Sequence, residues 1–494
     1  MKSLFLVLAV ALCVIVASAT PLDDYVRKPD PSYKWETYNS FRGSNFTVYN
    51  IKLTSQTWMH PSVVDVYLWT HWLSVCVPDE CSNRAKNGIL YIDGGSNLVG
   101  GGLGDAPTSL DDFGTTLCQH SGTVVAQLGQ VPNQPMVFVD DPQQLSRSED
   151  AMIAWTWKTF MNSSNPNPNI LARLPMTKAA VRAMDTVQSF MRTRFHRSIP
   201  KFVVTGGSKR GWATWTTAAV DRRVSAMAPI VMPMGNMNPL LDVMYRAYGN
   251  WSFALADYVN AGVMNFLGTP QINAMEAIID PMVYYDRWHH MPKYVVGATL
   301  DEFFLPDSAR WWWDKLPGEK LLRVAPNLDH SMIGPYDLAG YVQRLNKKLP
   351  EPKLDFVVTR SNTTATISVT VKGSLRPTSM NLWQSTAAGG LRDWRMYRCT
   401  RAAIECVNTS RFTATALTIG HNQKTWTATV SAPATGYTAF LIEAGFPSDP
   451  NDVSNGNKII HATSDVNIVP DRWPYASCKT TNTCQPALPW TPYP

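Results

Sequence analysis

The sequence predicts an α/β fold with a mostly parallel sheet, followed by an all-β sandwich domain. Between residues 88 and 324, short apolar strands alternate with helical segments, which is typical of a parallel sheet covered by helices. After the linker at 349–352, short Thr- and Val-rich strands follow one another without helices, which is typical of a sandwich. The length of 494 residues also favours two domains.

Each element of the first domain is predicted from its apolar pattern. The polar segment 24–36 is predicted to be an extended arm over the core. The predicted strands are 46–53, 63–73, 88–92, 123–128, 202–205, 224–231, 294–299 and 321–324. The predicted helices are 149–160, one with Thr177 as its N-cap that continues to Phe195, and 212–220.

The alternation of strands and helices breaks between residues 232 and 290. This insertion is rich in Met, Tyr and Trp and predicts helices at 240–248, 252–266 and 271–279. Its position favours a cap over a site, and ordinary core helices are the alternative. The sandwich, predicted for 353–475, has expected strands at 354–359, 364–371, 381–385, 426–430 and 437–444, and residues 476–494 form a Cys-containing tail.

The first nineteen residues have the pattern of a secretory signal peptide. Lys2 precedes an apolar run from Leu4 to Val16, and Ala17-Ser18-Ala19 ends it before Thr20. The run is shorter than the roughly 20 residues of a membrane-spanning helix, and no later stretch is long and apolar enough to span. We therefore expect a secreted protein with no membrane span.

The cysteines fit an oxidising compartment. Cys13 leaves with the signal peptide, and close spacing predicts three local disulfide bonds, with Cys118 left over as a buried thiol. The predicted pairs are Cys76–Cys81, Cys399–Cys406 and Cys478–Cys484. Zinc is the rival interpretation, but no histidine lies at ligand spacing, so neither a metal nor a cofactor is expected. Glycosylation sequons occur at Asn45, Asn162, Asn250, Asn362 and Asn408.

Ser208 has the sequence environment of a nucleophile. The strand before it ends in paired glycines and a helix follows, as in the strand–turn–helix elbow of α/β-hydrolases. The usual glycine two positions after the serine is displaced to Gly211. The backbone N–H of Lys209, at the helix start, is expected to point at the same spot and stabilise an oxyanion.

Two later loops supply the partners of such a serine in the order that the α/β-hydrolase fold requires. Asp301 follows the predicted strand 294–299, and His330 follows the strand 321–324. Asp307 is an alternative acid, although it also suits a helix N-cap. The chemistry expected is attack by Ser208, proton transfer through His330 and orientation of the imidazole by Asp301.

A second oxyanion donor is expected from the Gly-rich loop after the strand 88–92. Gly95 and Ser96 occupy this position, although a plain turn gives the same pattern. The side chains of Lys209 and Arg210 favour either a carboxylate-bearing substrate or structural ion pairs. Arg147, Glu149 and Asp150 fit a solvated helix start better than a substrate contact, and Trp311, Trp312 and Trp313 are expected to pack in the core.

Several of these segments together resemble one family, the PhoPQ-activated pathogenicity-related proteins. They are Glu149–Trp157, Arg173–Asp185, Gly206–Trp212, Asp301–Asp307 and Pro326–His330. The resemblance implies an α/β-hydrolase fold with its site at Ser208, Asp301 and His330. A closer likeness to one branch of the family implies a secreted factor that slows proliferation of its own cell population and repels cells.

Two functions follow as alternatives. One is a serine hydrolase acting on peptide or ester substrates, and the other is an extracellular signal whose partner is a cell-surface receptor. The net charge of +6 is spread along the chain without a basic block, so no nucleic-acid partner is expected.

Overall fold

The computed structural model describes residues 19–80, 86–331, 336–361, 363–397, 408–420, 423–449, 459–481 and 484. Within them, nine strands form one mixed sheet in the order β1-β2-β3-β5-β4-β6-β7-β8-β9. The strands are β1 (Lys34–Arg42), β2 (Phe46–Thr57), β3 (Leu68–Pro78), β4 (Asn87–Ile92), β5 (Val125–Leu128), β6 (Lys201–Gly207), β7 (Val224–Ile230), β8 (Lys293–Ala298) and β9 (Lys320–Ala325).

The sheet has an antiparallel end and a parallel body. Strands β1, β2, β3 and β5 pair antiparallel, whereas β5, β4, β6, β7, β8 and β9 run parallel. This is an α/β-hydrolase-like sheet. The central residues of the parallel strands β6 and β8 are buried, because helices cover both faces of the sheet. Their carboxyl ends lie along one edge, where the candidate site is found.

Helices connect the strands and cover the sheet. They are α1 (Pro21–Arg27), α2 (Asp112–Ser121), α3 (Glu149–Asn162), α4 (Arg173–Phe195), α5 (Lys209–Val220), α6 (Met237–Tyr248), α7 (Ala256–Asn260), α8 (Pro270–Ile279), α9 (Tyr336–Lys347) and α10 (Cys478–Thr481). Among the described residues, none of these helices has the length and apolar character needed to cross a bilayer.

Two local predictions are wrong. The segment 24–36 is not an extended arm, because α1 and the start of β1 occupy it, with Thr20 capping α1 through its hydroxyl. Thr177 is not an N-cap either. It lies inside α4, which begins at Arg173, and its hydroxyl donates to the Arg173 carbonyl 2.8 Å away.

The segment between β7 and β8 is helical but more broken than its apolar pattern predicts. Helices α6 and α8 are present close to the predicted bounds. The single helix expected over 252–266 is instead divided into Phe253–Leu255, α7 and Val263–Phe266. Gly262, with a φ of 80°, separates the last two, since a left-handed residue ends a helix.

The C-terminal part contains two antiparallel sheets in its described residues. One has β10 (Leu354–Arg360), β11 (Thr364–Val371) and β14 (Thr425–Ser431); the other has β12 (Ser379–Thr386), β13 (Thr413–Ala416), β15 (Thr438–Pro447), β16 (Ile459–Thr463) and β17 (Asn467–Val469). Along β11, every second side chain is buried. Ile367 and Val369 share one apolar core with Phe440 and Ile442 of β15, so the two sheets face each other.

The disulfide pattern differs from the prediction based on spacing. Cys76 on β3 is bonded to Cys118 on α2, so the Cys76–Cys81 pairing and the free thiol at Cys118 are both wrong. Helix α2 covers β3 and buries both cysteines completely, a contact that sequence distance does not indicate. Cys478 and Cys484 are bonded to each other. The predicted pair Cys399–Cys406 and the residue Cys81 lie outside the described residues.

The predicted glycosylation sites differ in exposure. Asn45 and Asn162 are exposed and Asn250 is half-buried. Asn408 is fully buried: its amide donates to the Asp393 carbonyl and its Oδ1 accepts from the Ser410 N–H. A glycan at Asn408 is therefore incompatible with this fold. Asn362 lies outside the described residues.

Candidate active site

Ser208 lies at a sharp turn between β6 and α5, with φ 54° and ψ −127°. Its N–H donates to the Ile230 carbonyl on β7, 2.9 Å away. A side chain at Gly206 or Gly211 would collide with neighbouring backbone or with Met232, because an added Cβ would lie 2.8 Å from the nearest atom in each case. The displaced glycine of the motif is thus explained by the passage of β7 beside Gly211.

The structure brings Ser208, Asp301 and His330 together. The Nε2 of His330 is 2.7 Å from the Ser208 Oγ, and its Nδ1 is 2.9 Å from each carboxylate oxygen of Asp301. Asp301 is 2% exposed, and its Oδ1 also accepts the N–H of Phe303 at 2.7 Å. The Phe303 ring lies 4.3 Å from the imidazole. Hence the carboxylate is fixed by its own loop, and the imidazole is held on two sides.

Asp307, the alternative acid, has another partner. Its Oδ2 lies 2.6 Å from the Arg392 Nη2, and both side chains are buried. It makes no N-cap hydrogen bond with its side chain. The structure therefore places Asp301, and not Asp307, on His330.

Glu302 is a site residue that the sequence interpretation missed. Its Oε2 accepts the backbone N–H of His330 at 3.3 Å, and its Oε1 is buried without a partner among the described residues. Burial, and secondly the charge of Asp301, raises the pKa of Glu302 to about 7. The sequence feature that could have identified Glu302 is the pair of consecutive carboxylates, Asp301 and Glu302, after a predicted strand.

The C-terminal part contacts both loops that carry the acid and the histidine. Asn327 donates from Nδ2 to the Phe412 carbonyl at 2.8 Å and accepts the Phe412 N–H at 2.7 Å. The N–H of Met396 donates to the Leu300 carbonyl at 2.8 Å, next to Asp301. Asn327 has φ 60°, a conformation that Asn tolerates better than most residues. These contacts position the two loops.

A cluster of ion pairs lies behind the nucleophile. The Lys209 Nζ is 2.8 Å from Glu149 and 2.9 Å from Asp150, and Arg210 pairs with Glu149 at 2.5 Å. Burial would raise the pKa of Glu149, but the charges of Lys209 and Arg210 outweigh it and lower the pKa to about 2. Glu149 and Asp150 thus begin α3 in ion pairs and not as a solvated helix start. Arg147 pairs with Asp141 instead, at 2.7 Å.

The expected oxyanion donors come from two separate segments of the chain. Lys209 begins α5, directly after Ser208. Gly95 and Ser96 are exposed residues of the loop after β4. That loop reaches the elbow through Gly94, where an added Cβ would be 2.8 Å from the Arg210 Nη2. The donor roles of Lys209, Gly95 and Ser96 stay predictions.

Ser208 opens onto a cavity with mainly apolar walls. Most of these walls come from the segment between β7 and β8, and the rest come from the loop after β8 and from α3, α4 and α5. The apolar lining residues are Trp157, Trp212, Met232, Met234, Met237, Leu240, Leu241, Val243, Met244, Leu255, Val263, Met264, Phe303, Phe304 and Leu305. Asp150, Arg173, Lys209, Tyr258 and Ser308 are the polar ones besides Ser208.

The tryptophan run lies beside this cavity and not in it. Trp312 and Trp313 are buried, and the Trp312 ring is 6.4 Å from that of Trp215. This agrees with the expected core packing. Across the described part of the chain, no three His, Cys, Asp or Glu side chains are grouped so that they could hold a metal ion.

Comparisons with known proteins place the chain among relatives. The family described as PhoPQ-activated pathogenicity-related protein matches residues 22–395. Autocrine proliferation repressor protein A of Dictyostelium discoideum is 38% identical over 98% of this chain and 97% of its own length.

Solved structures with similar folds are much more distant in sequence. Acetyl xylan esterase 1 from Thermoanaerobacterium sp. is 13% identical, covering 66% of this chain and 91% of its own, with a TM-score of 0.42. Glucuronoyl esterase from Solibacter usitatus is 14% identical, covering 66% and 90%, with a TM-score of 0.38.

Proposed function

The chain belongs to the PhoPQ-activated pathogenicity-related protein family, and we propose that it is a serine hydrolase acting on ester or peptide bonds. One observation carries the proposal: the His330 imidazole bridges the Ser208 hydroxyl, at 2.7 Å, and the Asp301 carboxylate, at 2.9 Å. Nucleophile, base and orienting acid lie within hydrogen-bonding reach in the order Ser, Asp, His.

The first half of the reaction forms an acyl-enzyme. The Ser208 Oγ attacks the substrate carbonyl carbon while His330 Nε2 takes the hydroxyl proton. Asp301 holds the Nδ1 proton and stabilises the imidazolium. When the tetrahedral intermediate collapses, the bond to the alcohol or amine breaks and His330 returns the proton to that leaving group. The N–H of Lys209 and the loop of Gly95 and Ser96 are the proposed donors to the oxyanion.

The second half of the reaction releases the acid. A water molecule attacks the acyl carbon, and His330 takes one of its protons. The bond to Ser208 Oγ then breaks, and the proton passes from His330 back to the serine. We assign the helices between β7 and β8 the role of a cap, because their side chains form most of the cavity wall in front of Ser208.

A fluorophosphonate probe tests this proposal directly. We expect the folded protein to be labelled at Ser208, the Ser208→Ala variant to be unlabelled, and a Ser62→Ala variant, changed at an exposed serine, to be labelled normally. A folded wild-type protein that the probe does not modify would contradict the hydrolase proposal.

A second function is favoured by the 38% identity to a relative named as an autocrine proliferation repressor. In this proposal the chain is secreted through the signal peptide 1–19 and slows proliferation of the cells that release it, through a receptor-binding surface. Adding purified wild-type and Ser208→Ala protein to growing cells separates the two activities. Equal repression by both would assign the growth effect to the surface, and loss with the variant would assign it to catalysis.

A further inference from the structure

The walls of the cavity beside Ser208 indicate which part of a substrate they accommodate. Fifteen of the residues that line the cavity are apolar, and they include five methionines, Met232, Met234, Met237, Met244 and Met264. Methionine side chains are flexible and polarisable, so they adapt to chains of different shape. An extended peptide backbone would leave its N–H and C=O groups facing these apolar walls.

Most polar side chains of the cavity wall already have partners, although the Arg173 Nε has none among the described residues. Lys209 is held between Glu149 and Asp150, and Asp150 also accepts the Tyr258 hydroxyl at 2.8 Å. Arg173 donates to the Lys209 carbonyl at 3.2 Å, with its guanidinium 4.1 Å from the Trp212 ring centre. Lys209 and Asp150 neutralise each other, and the Arg173 guanidinium lies against the Trp212 ring. The larger, apolar part of the cavity therefore favours an uncharged group.

From these walls we infer that the substrate is an ester whose acyl part is a short to medium apolar chain, held in this cavity while it is bonded to Ser208. The inference rests on the proposed hydrolase function. The acyl part stays on the serine through both halves of the reaction, whereas the alcohol must leave before water enters. The apolar walls therefore suit the acyl chain, and the leaving group faces the opening.

The size of the cavity limits the length of the chain. Its volume is about 70 Å³, several times the roughly 10–15 Å³ that one water molecule needs, so it suits a short or medium acyl chain better than a long one. Each buried methylene is expected to raise kcat/KM about fourfold until the cavity is full, so the optimum should lie between butanoyl and octanoyl esters.

A series of p-nitrophenyl esters from acetate to hexadecanoate tests the inference on the full chain. We expect kcat/KM to rise at least tenfold from acetate to hexanoate and to fall for dodecanoate and longer chains. Hexanoyl p-nitroanilide, with the same acyl group on an amide, should be cleaved at least tenfold more slowly than the ester.

Variants of Leu240 on α6, which lines the cavity and is 8% exposed, test the location. Leu240→Trp should move the optimum to acetate or propanoate, and Leu240→Ala should move it to longer chains. If the Trp variant does not fold, the Ala variant alone decides. Val283→Trp is the control, since Val283 is 46% exposed and does not line the cavity; its chain-length profile should match the wild type.

The outcomes distinguish this inference from the proposed function. Labelling of Ser208 by a fluorophosphonate together with a flat profile, a preference for acetate, or faster cleavage of the anilide would overturn the acyl-chain inference and leave the hydrolase proposal standing. A profile that neither Leu240 variant shifts would also overturn it. Absence of both labelling and ester cleavage would overturn both.

Discussion

The imidazole of His330 lies 2.7 Å from the hydroxyl of Ser208, although 122 residues separate them in the chain. The sheet brings them together, because β6 and β9 run parallel and each residue follows the carboxyl end of its strand. Asp301 follows β8, which lies between β7 and β9. The three side chains therefore converge at one edge without any shared local motif.

Replacing the acid tests its assignment. Asp301→Asn should keep the fold but lower kcat about 10³- to 10⁴-fold, because the amide no longer stabilises the imidazolium or its correct tautomer. Steady-state kinetics with an ester substrate measure this. Asp307→Asn is the matched control: it breaks a buried ion pair with Arg392, so it should lower the free energy of unfolding by about 3–5 kcal/mol with kcat nearly unchanged. The opposite pattern would assign the acid role to Asp307.

The hydrogen bonds between Asn327 and Phe412 should affect the rate as well as stability. Asn327→Ala removes one donor and one acceptor and should destabilise the protein by about 2 kcal/mol. Because Asn327 begins the loop that ends at His330, we also expect kcat to fall about tenfold. Chemical denaturation and ester hydrolysis below the unfolding range measure the two effects separately.

Asn346→Ala is the control for that prediction. Asn346 hydrogen-bonds to Asn87 through both ends of its amide, far from Ser208 in the sheet. The Asn346→Ala variant should lose a similar free energy of unfolding, with kcat unchanged. If Asn327→Ala also leaves kcat unchanged, the contact with Phe412 supports the fold but does not position His330.

Glu302 should make stability depend on pH. Its pKa is raised to about 7 in the folded protein, so the folded state holds its proton more tightly than the unfolded chain does. This contribution is complete below about pH 4.5 and is lost as the pH rises through 7. Glu302→Gln keeps an acceptor for the His330 N–H and removes the titration. Between pH 4.5 and 8, the free energy of unfolding of this variant should therefore rise by about 1–3 kcal/mol relative to the wild type.

Denaturation at several pH values measures that difference, and Glu276→Gln serves as its control. Burial, and secondly Asp280, raises the pKa of Glu276 to about 7 as well, but Glu276 lies on α8 and does not contact His330. The free energy of unfolding of both variants, relative to the wild type, should increase with rising pH. Only Glu302→Gln should also alter the pH profile of kcat. A stability difference that is constant with pH would refute the shifted pKa of Glu302.

The residues of the site fall into two groups: those that a local sequence pattern marks, and those that only the folded structure brings together. Ser208, Asp301 and His330 each follow a strand with a clear apolar run, so these positions, the elbow motif and the Ser, Asp, His order together predicted that they meet. Asn327 and Phe412 are in contact across two parts of the chain, and nothing local marks either residue. The ion pairs of Lys209 with Glu149 and Asp150 depend on α3 reaching the elbow, which the apolar pattern of α3 does not specify.

The fold shows the same division. Many strands and helices with regular apolar spacing were predicted within a few residues, because burial on one face imposes that spacing. The strand expected at 63–73 is instead β3, five residues later, and β1, α2 and α9 were not predicted. The short α1 was missed: its buried Leu22 and Val26 are too few to give a period, and its start is fixed by the Thr20 cap. Close spacing of cysteines was a poor guide for Cys76, whose partner is set by the packing of α2 on β3.

The Cys76–Cys118 bond should contribute more stability than the Cys478–Cys484 bond. The two bonds join residues 42 and 6 positions apart, and closing the longer loop removes more entropy from the unfolded chain, about 4 against about 2 kcal/mol. Peptide mapping without reduction should recover Cys76 linked to Cys118. Denaturation of Cys118→Ala and Cys478→Ala should give the larger loss for the first. Recovery of Cys76 linked to Cys81 would contradict the packing of α2 on β3 and restore the pairing that sequence spacing favoured.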